Sequence, residues 1–289
     1  MIIPPFNFCG LEDEYCNYDD ASIVIVPVPF EKSTSWIKGT CKGPEAIIDA
    51  SRFMELYDID TDSEVYKNGI HTSESIRAIN ENNLIDVLSK RINKYLDDRK
   101  FPVILGGEHT VTIGTVKAII ERQEELSVLI LDAHSDFRDE FEDNIYSHAC
   151  VSKRISEMGV NPVQVGIRSI DKSELKHINL ENIFFAKDIY FNNEGWVNDV
   201  IRKLKDNIYI SIDLDVFDPS VIPSVGTPEP GGLIWYDVIK LLKEVIKYKN
   251  VIALDIVELC PNNFKYSDFT AAKLIYTILS HIFNERAKS

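Results

Sequence analysis

The sequence predicts a three-layer α/β fold, in which helices cover both faces of a mostly parallel sheet. Short apolar runs alternate along the chain with amphipathic stretches of helical period. The apolar runs have no polar face, which is typical of parallel strands buried on both sides by helices. Neither a Pro/Ser-rich linker nor an internal repeat interrupts this alternation, so we predict one domain over residues 1–289.

Seven apolar runs are predicted to be strands, beginning with SIVIVPVP near the start of the chain. They are residues 22–29, 102–107, 127–132, 161–167, 182–186, 207–213 and 250–256. The stretches between them show the spacing of helices, and Pro44 suits the first turn of one of them because that position needs no N–H donor. The predicted helices are residues 43–57, 82–98, 110–124, 147–158, 194–205, 234–248 and 268–286.

Composition limits the classes of partner and location. Forty-six acidic residues against 31 basic ones give a formal charge of −15, which argues against nucleic acid. The charge either favours small cationic ligands or serves only solubility. No apolar run approaches the ~20 residues that span a bilayer, and the first residues lack the pattern of a secretory signal. The five cysteines form no CxxC pair, as expected for reduced thiols. We predict a cytoplasmic protein that binds neither nucleic acid nor membrane.

Acidic residues and histidines gather where four of the apolar runs end. GGEHT follows the run PVIL, DAHSD follows LSVLIL, DLDVFDP follows NIYISI, and DIVELCP follows VIAL. Ligands of parallel sheets bind at the carboxyl ends of the strands. Side chains at alternate positions share a face, so Asp132, His134 and Asp136 converge if the extended geometry continues past Leu131. Asp213 and Asp215 repeat this spacing.

This set of side chains predicts a metal centre. A single D-x-H or D-x-D is usually a turn or a solvated face, but three such clusters at separate strand ends are hard to explain as loops. Four carboxylates packed together would repel one another unless cations lie between them. Oxygen and imidazole ligands suit Mn²⁺, with Zn²⁺, Fe²⁺, Co²⁺ or Ni²⁺ as substitutes, and six ligands are enough for two ions. The candidate ligands are His109, Asp132, His134, Asp136, Asp213 and Asp215.

These motifs, together with GTPEPGGL at 226–233 and VPVPFEKSTSWIKGTCKGPEAI near the start, resemble the signatures of the ureohydrolases, the arginase and agmatinase family. The resemblance covers nearly the whole chain and is closest to agmatinase. It implies an arginase-like eight-stranded parallel sheet, two Mn²⁺ ions per subunit and a trimer or hexamer. It also implies that the two ions share Asp132 and Asp213 as bridging ligands. One ion would add His109 and Asp136, and the other His134 and Asp215.

The resemblance also implies a hydrolysis in which guanidino compounds give urea and an amine. Metal coordination lowers the pKa of water, which provides the nucleophile that a resonance-stabilised guanidinium requires. Asp136 is the expected first proton acceptor. Glu258 matches the glutamate that pairs with the guanidinium, and His148 matches the histidine that shuttles protons.

The segment FRDEFEDNIYSH, residues 137–148, departs from the asparagine and serine with which arginases recognise an amino acid. Its four acidic residues either attract a terminal ammonium or are solvated loop acids. They are Asp139, Glu140, Glu142 and Asp143. Agmatine, giving putrescine and urea, is the predicted substrate.

Several alternatives stay open. They are aminopropylagmatine, arginine, and guanidinobutyrate with Arg138 meeting its carboxylate. A one-metal, deacetylase-like amidohydrolase and a non-catalytic metal- or polyamine-binding relative are the alternatives from other classes.

Overall fold

A parallel sheet organises the molecule in the computed structural model, which describes residues 4–123, 125–192 and 194–288. Eight strands are present among these residues. They are β1 (Ile23–Val28), β2 (Ile70–Thr72), β3 (Phe101–Gly106), β4 (Leu126–Leu131), β5 (Val163–Ile167), β6 (Ile183–Phe185), β7 (Asn207–Asp213) and β8 (Asn250–Val257). Their order across the sheet is β2-β1-β3-β8-β7-β4-β5-β6. Every pairing between these strands is parallel.

Helices lie on both faces of the sheet. The α-helices found in the described part of the chain are α1 (Asp13–Cys16), α2 (Gly43–Ser51), α3 (Glu81–Asp97), α4 (Val111–Ile120), α5 (Val151–Glu157), α6 (Ala186–Asn192), α7 (Trp196–Lys203), α8 (Trp235–Tyr248) and α9 (Tyr266–Arg286). Buried side chains of α2, α7, α8 and α9 belong to one core cluster. Those of α3, α4 and α5 belong to two clusters on the other face.

The strands supply apolar side chains to both layers because successive residues point to opposite faces. Ile25 belongs to the cluster beneath α2 and α9, whereas its neighbour Val26 belongs to the cluster beneath α3. In β4, Leu129 and Ile130 divide in the same way. All six residues of β1, β3 and β4 are buried, so the three-layer arrangement predicted from the sequence is confirmed.

All seven predicted strands are present, and the largest shift of a boundary is two residues. The strand β2 and the helices α1 and α6 were not predicted. β2 and α1 have only three and four residues, too few to show a period, and α6 follows β6 directly without a break in the sequence pattern. The predicted helix 43–57 is wrong beyond Ser51, whose hydroxyl donates to the Ile48 carbonyl and accepts from the Cys9 amide. The predicted helix 147–158 divides into a 3₁₀ turn at His148–Cys150 and α5. The predicted helix 110–124 is wrong beyond Ile120, where the Arg122 amide donates to the Ile119 carbonyl in a turn. Its predicted end, Glu124, lies outside the described residues.

The sheet order brings four strand ends together. β3, β8, β7 and β4 are consecutive neighbours in the middle of the sheet. These are the four strands whose carboxyl ends carry the acidic and histidine motifs, so the fold delivers those motifs to one edge. No helix of the described ranges is long and apolar enough to cross a membrane.

Candidate metal centre and catalytic pocket

The first candidate metal group centres on the buried imidazole of His109, three residues beyond β3. His109, Asp132 and Asp213 offer ligand atoms that lie together closely enough to hold one ion. His109 Nδ1 lies 3.2 Å from Asp132 Oδ2 and 3.5 Å from Asp213 Oδ2. Asp136 Oδ2 is also 3.2 Å from this nitrogen. The structure therefore brings together the four side chains that the sequence predicted for one ion.

The second candidate group lies beside the first and shares Asp132 with it. It consists of Asp132, His134 and Asp215. His134 Nδ1 lies 2.8 Å from Asp215 Oδ2 and 3.8 Å from Asp132 Oδ1. The Ala133 amide donates to Asp215 Oδ1 over 2.9 Å, which leaves Oδ2 for the imidazole or an ion. Asp213, which the sequence predicted as a second bridge, belongs to the first group in this geometry.

The chemistry of the candidate ligand atoms fits bound cations. His109 Nδ1 and Asp132 Oδ2 are buried and have no hydrogen-bond partner among the described residues. Burial, with the charges of Asp215 and Asp136, raises the pKa of Asp132 to about 7. Burial also opposes a charged His134, yet the Asp215 and Asp132 carboxylates raise the pKa of that imidazole to about 10. Crowded carboxylates and unpartnered donor atoms are what a site for divalent ions requires.

Asp136 reaches the centre by a route that alternate spacing does not describe. β4 ends at Leu131, and Asp136 has a φ of 52°, in the left-handed region that non-glycine residues rarely adopt. The prediction that extended geometry brings Asp132, His134 and Asp136 together is wrong for Asp136. A turn of the backbone, with Lys153 N–H donating to the Asp136 carbonyl over 3.2 Å, directs this carboxylate to His109 instead.

A buried hydrogen-bond network orients His109 from behind. Ser211 Oγ lies 2.9 Å from His109 Nε2 and donates to Asp255 Oδ1 over 2.7 Å. Asp255 also accepts from Thr112 Oγ1 at 2.7 Å and from the Tyr209 hydroxyl. Because Ser211 engages Nε2, Nδ1 is the nitrogen available to an ion. A metal-binding histidine typically has its other ring nitrogen held by such a hydrogen bond.

Glu258 is a buried carboxylate beside the first group and not a member of it. His109 N–H donates to Glu258 Oε1 over 2.8 Å. The backbone of Glu258 has a φ of 65°, and its amide donates a 2.8 Å hydrogen bond to the Gly107 carbonyl. Gly107 can only be glycine here, since a Cβ would lie 2.1 Å from the Phe30 carbonyl oxygen. Burial and the Glu108 charge raise the pKa of Glu258 well above its usual range.

His148 lines the same cavity as Glu258, a space of about 180 Å³ over the metal groups. Its Nδ1 lies 3.1 Å from Ser33 Oγ, and its ring packs edge-on against Phe141 with centroids 5.7 Å apart. Burial lowers the pKa of His148, against the opposing charges of Asp136 and Glu108. All three residues predicted to act on the substrate, Asp136, His148 and Glu258, therefore line one cavity.

The outer wall of the cavity carries Arg138, which the sequence offered as a partner for a substrate carboxylate, and two carboxylates that the sequence did not single out, Asp171 and Glu174. Arg138 lies 3.3 Å from Asp171 Oδ2 and 3.6 Å from Glu174 Oε1, and all three residues line the cavity. Asp139 points elsewhere and pairs with Lys176 at 3.0 Å and His177 at 2.8 Å. Within the described ranges, none of the four loop acids from Asp139 to Asp143 lines the cavity.

Residues that sequence reasoning missed are those that act through long-range contacts. Asp255, Ser211 and Glu108 lie within the quoted motifs but were given no role. Asp255 did leave a signal, because a carboxylate inside the apolar strand NVIALDI must find buried partners. Ser33 left none, since nothing in the sequence connects the segment after β1 with residue 148.

Comparison with known proteins gives a consistent picture. A model of the arginase family matches residues 21–281. The N(1)-aminopropylagmatine ureohydrolase of Synechocystis is 36% identical over 277 residues, which are 92% of this chain and 90% of that protein. The enzyme of the same name from Thermus thermophilus is 37% identical over 265 residues, 90% of this chain and 89% of the relative.

Agmatinases are similar as well. The agmatinase of Pyrococcus horikoshii is 32% identical over 283 residues, covering 96% of this chain and 98% of that protein. The crystal structure of an agmatine ureohydrolase of Thermoplasma volcanium superposes with a TM-score of 0.89 at 29% identity, over 99% of this chain and 97% of that one.

Proposed function

Because the chain belongs to the arginase family and is a ureohydrolase of the agmatinase type, we propose that it hydrolyses agmatine to putrescine and urea. One observation carries this proposal. The carboxylate of Glu258, held by the His109 amide, lines the same small cavity as His148 and four of the six candidate metal ligands, namely His134, Asp136, Asp213 and Asp215. A carboxylate fixed in this way can bind a planar guanidinium beside the centre that activates water.

We propose two Mn²⁺ ions as the cofactor. His109, Asp132, Asp136 and Asp213 would hold one ion, and Asp132, His134, Asp213 and Asp215 the other. When bound, the ions lower the pKa of water and so supply a nucleophile at neutral pH. The oxygen-rich donor set with one imidazole per group supports manganese, since purely soft ligands would favour other metals.

Glu258 orients the guanidinium. Its Oε1 accepts the His109 N–H at 2.8 Å, so the carboxylate cannot rotate freely and Oε2 is directed away from that bond. Gly226 leaves the space next to Oε2 open, since even a Cβ there would lie 3.5 Å from this oxygen. A fixed, buried carboxylate retains its charge-assisted bonds to the substrate through the reaction, which lowers the barrier by positioning.

Two further residues handle protons. Asp136 borders both the candidate metal group and the cavity, so its carboxylate is placed to accept the first proton. His148 follows Asp136 in the chain and lines the same cavity. An imidazole there protonates the departing amine nitrogen, and this protonation allows the carbon–nitrogen bond to break.

The outer wall supports a cationic rather than an anionic tail. Arg138 is engaged by Asp171 and Glu174, so it is not free to meet a substrate carboxylate such as that of guanidinobutyrate. Asp171 remains two-fifths exposed at the cavity and can attract an ammonium. Asp139 is already paired with Lys176 and His177, which leaves the loop acids a smaller role than the sequence suggested.

Aminopropylagmatine is the second candidate substrate. Two relatives with 36% and 37% identity carry its ureohydrolase activity in their names. A longer polyamine would keep the guanidinium at Glu258 and extend its further cation toward the outer wall, which carries Asp171 and Glu174. The presence of both metal groups disfavours a one-metal, deacetylase-like activity.

The test is urea release by Mn²⁺-loaded protein on agmatine, aminopropylagmatine, arginine and guanidinobutyrate side by side. We expect the two cationic amines to exceed arginine and guanidinobutyrate in kcat/KM, with agmatine first. A lead by aminopropylagmatine would replace agmatine as the substrate, and a lead by either carboxylate-bearing compound would overturn the reasoning from Arg138. Absence of urea from all four would overturn the proposed function.

A further inference from the structure

The segment that follows β1 contacts the histidine of the cavity from behind. Ser33 Oγ lies 2.9 Å from the backbone nitrogen of His148 and 3.1 Å from its Nδ1. The same oxygen lies 3.0 Å from Oε1 of Glu108. Neither Ser33 nor Glu108 has a role in the function proposed above. Together with His148 they form a chain of three polar side chains that leads away from the cavity.

Glu108 is an acceptor for several donors at once. It is fully buried, and its Oε2 accepts the amides of Lys32 at 2.6 Å and Ser33 at 2.7 Å. Its Oε1 accepts the hydroxyl of Thr110 at 2.7 Å. The two amides can only donate, and the Thr110 hydroxyl donates in this contact. The carboxylate therefore also takes the hydroxyl hydrogen of Ser33, because a charged acceptor forms the stronger bond.

This arrangement fixes where the proton of a neutral His148 resides. A serine hydroxyl has one hydrogen and two lone pairs. With the hydrogen directed to Glu108, Ser33 Oγ can only accept from His148, once from the backbone N–H and once from Nδ1–H. Ser147 Oγ lies 3.2 Å from the same Nδ1 and is a second acceptor when the proton is on that nitrogen. Nε2 then keeps its lone pair, and the described residues offer it no hydrogen-bond partner.

We propose that Ser33 is a positioning residue which, with Glu108, holds His148 as the Nδ1–H tautomer and so leaves Nε2 to exchange protons in the cavity. The inference rests on the proposed function for its catalytic consequence. Nε2 takes up one of the protons that the attacking water brings into the cavity and releases it to the departing amine nitrogen, so the ring returns to its starting state. While Nε2 is protonated, the positive ring donates through Nδ1 to Ser33, and the Ser33–Glu108 bond stabilises that charge.

The kinetic test compares Ser33→Ala, Ser33→Thr and His148→Gln in Mn²⁺-loaded protein. We expect Ser33→Ala to lower kcat about tenfold, which corresponds to about 1.4 kcal/mol, with KM nearly unchanged. Ser33→Thr retains the hydroxyl and should restore most of the loss. Thr34→Ala, one residue along the same segment and bonded instead to Glu31 at 3.5 Å, is the matched control and should leave kcat unchanged.

A double-mutant cycle separates a role through His148 from a structural one. If Ser33 acts through the imidazole, Ser33→Ala should add no further loss in the His148→Gln background. An equal loss in both backgrounds, or an unchanged kcat in Ser33→Ala alone, would overturn the inference.

The tautomer can be measured without turnover, which keeps the inference testable if the proposed function fails. Nitrogen-15 spectra of histidine-labelled protein loaded with diamagnetic Zn²⁺ report which ring nitrogen of His148 is protonated, and the His148→Gln variant assigns the signals. We expect Nδ1–H in the wild type and in Ser147→Ala, and a shift toward Nε2–H in Ser33→Ala. An Nε2–H tautomer in the wild type would contradict the inference, whatever the substrate.

Discussion

Replacement of Glu258 by glutamine tests the binding of the guanidinium directly. The His109 amide donates to Oε1, so the glutamine keeps its oxygen at that position and turns its NH₂ group toward the substrate. A donor then faces the N–H groups of the guanidinium, and the charge is lost. Charge-assisted hydrogen bonds contribute about 1.5–3 kcal/mol each, so we expect kcat/KM to fall roughly 100-fold and KM to rise.

The assay is urea release over a range of agmatine concentrations, with metal content measured on the same samples. Both ions should remain bound, because Glu258 belongs to neither candidate metal group. Glu55→Gln, at an exposed position outside the cavity, is the matched control and should retain wild-type kinetics. Wild-type kcat/KM in Glu258→Gln, or a loss explained wholly by missing metal, would refute the assignment of this carboxylate to the substrate.

Three further changes test the hydrogen-bond network behind His109, the backbone at Gly107 and the half-buried histidine His281. Asp255→Asn replaces an acceptor of three hydroxyl groups, so metal affinity should fall about 10–100-fold in a metal titration; unchanged affinity would contradict this. Gly107→Ala places a Cβ 2.1 Å from the Phe30 carbonyl oxygen and should lower the free energy of unfolding by about 3 kcal/mol in a denaturant titration; a loss below about 1 kcal/mol would be too small for this clash. Burial lowers the pKa of His281, whose Nε2 is buried without a hydrogen-bond partner among the described residues, so below pH ~6.5 the unfolded chain binds a proton that the folded chain does not. Wild-type stability should therefore fall more steeply between pH ~6.5 and 5 than that of His281→Gln, and equal slopes in pH-dependent unfolding would show otherwise.

The candidate site was predictable wherever the ligands immediately follow strands. Asp132, Asp213 and His109 are set by the ends of β4, β7 and β3, which lie within one run of four adjacent strands, and apolar runs in the sequence reveal those ends. Asp136 was identified as well, but for a geometry that the structure corrects, since its φ of 52° turns the chain out of the extended conformation. Local sequence does not encode such a turn, because the contacts that hold it come from Lys153 and beyond.

Parts of the site depend on segments that are distant in the chain. Ser33 and His148 are 115 residues apart, and Arg138 meets Asp171 only because β4 and β5 are neighbours. Strand β2 was missed for a related reason. Its three residues are extended because they pair with β1 at Ile23, Val24 and Ile25, and a run this short shows no period of its own. Pairing of this kind becomes visible only when the whole sheet has formed.

The most direct test of a two-metal ureohydrolase is urea release followed during a titration of metal-free protein with Mn²⁺, at saturating agmatine or aminopropylagmatine. We expect activity to rise until two equivalents per subunit are bound, with little activity at one. Full activity at one equivalent would contradict the two-metal centre inferred from the groups around His109 and His134. Two bound equivalents without any urea would contradict the hydrolysis proposed for the cavity.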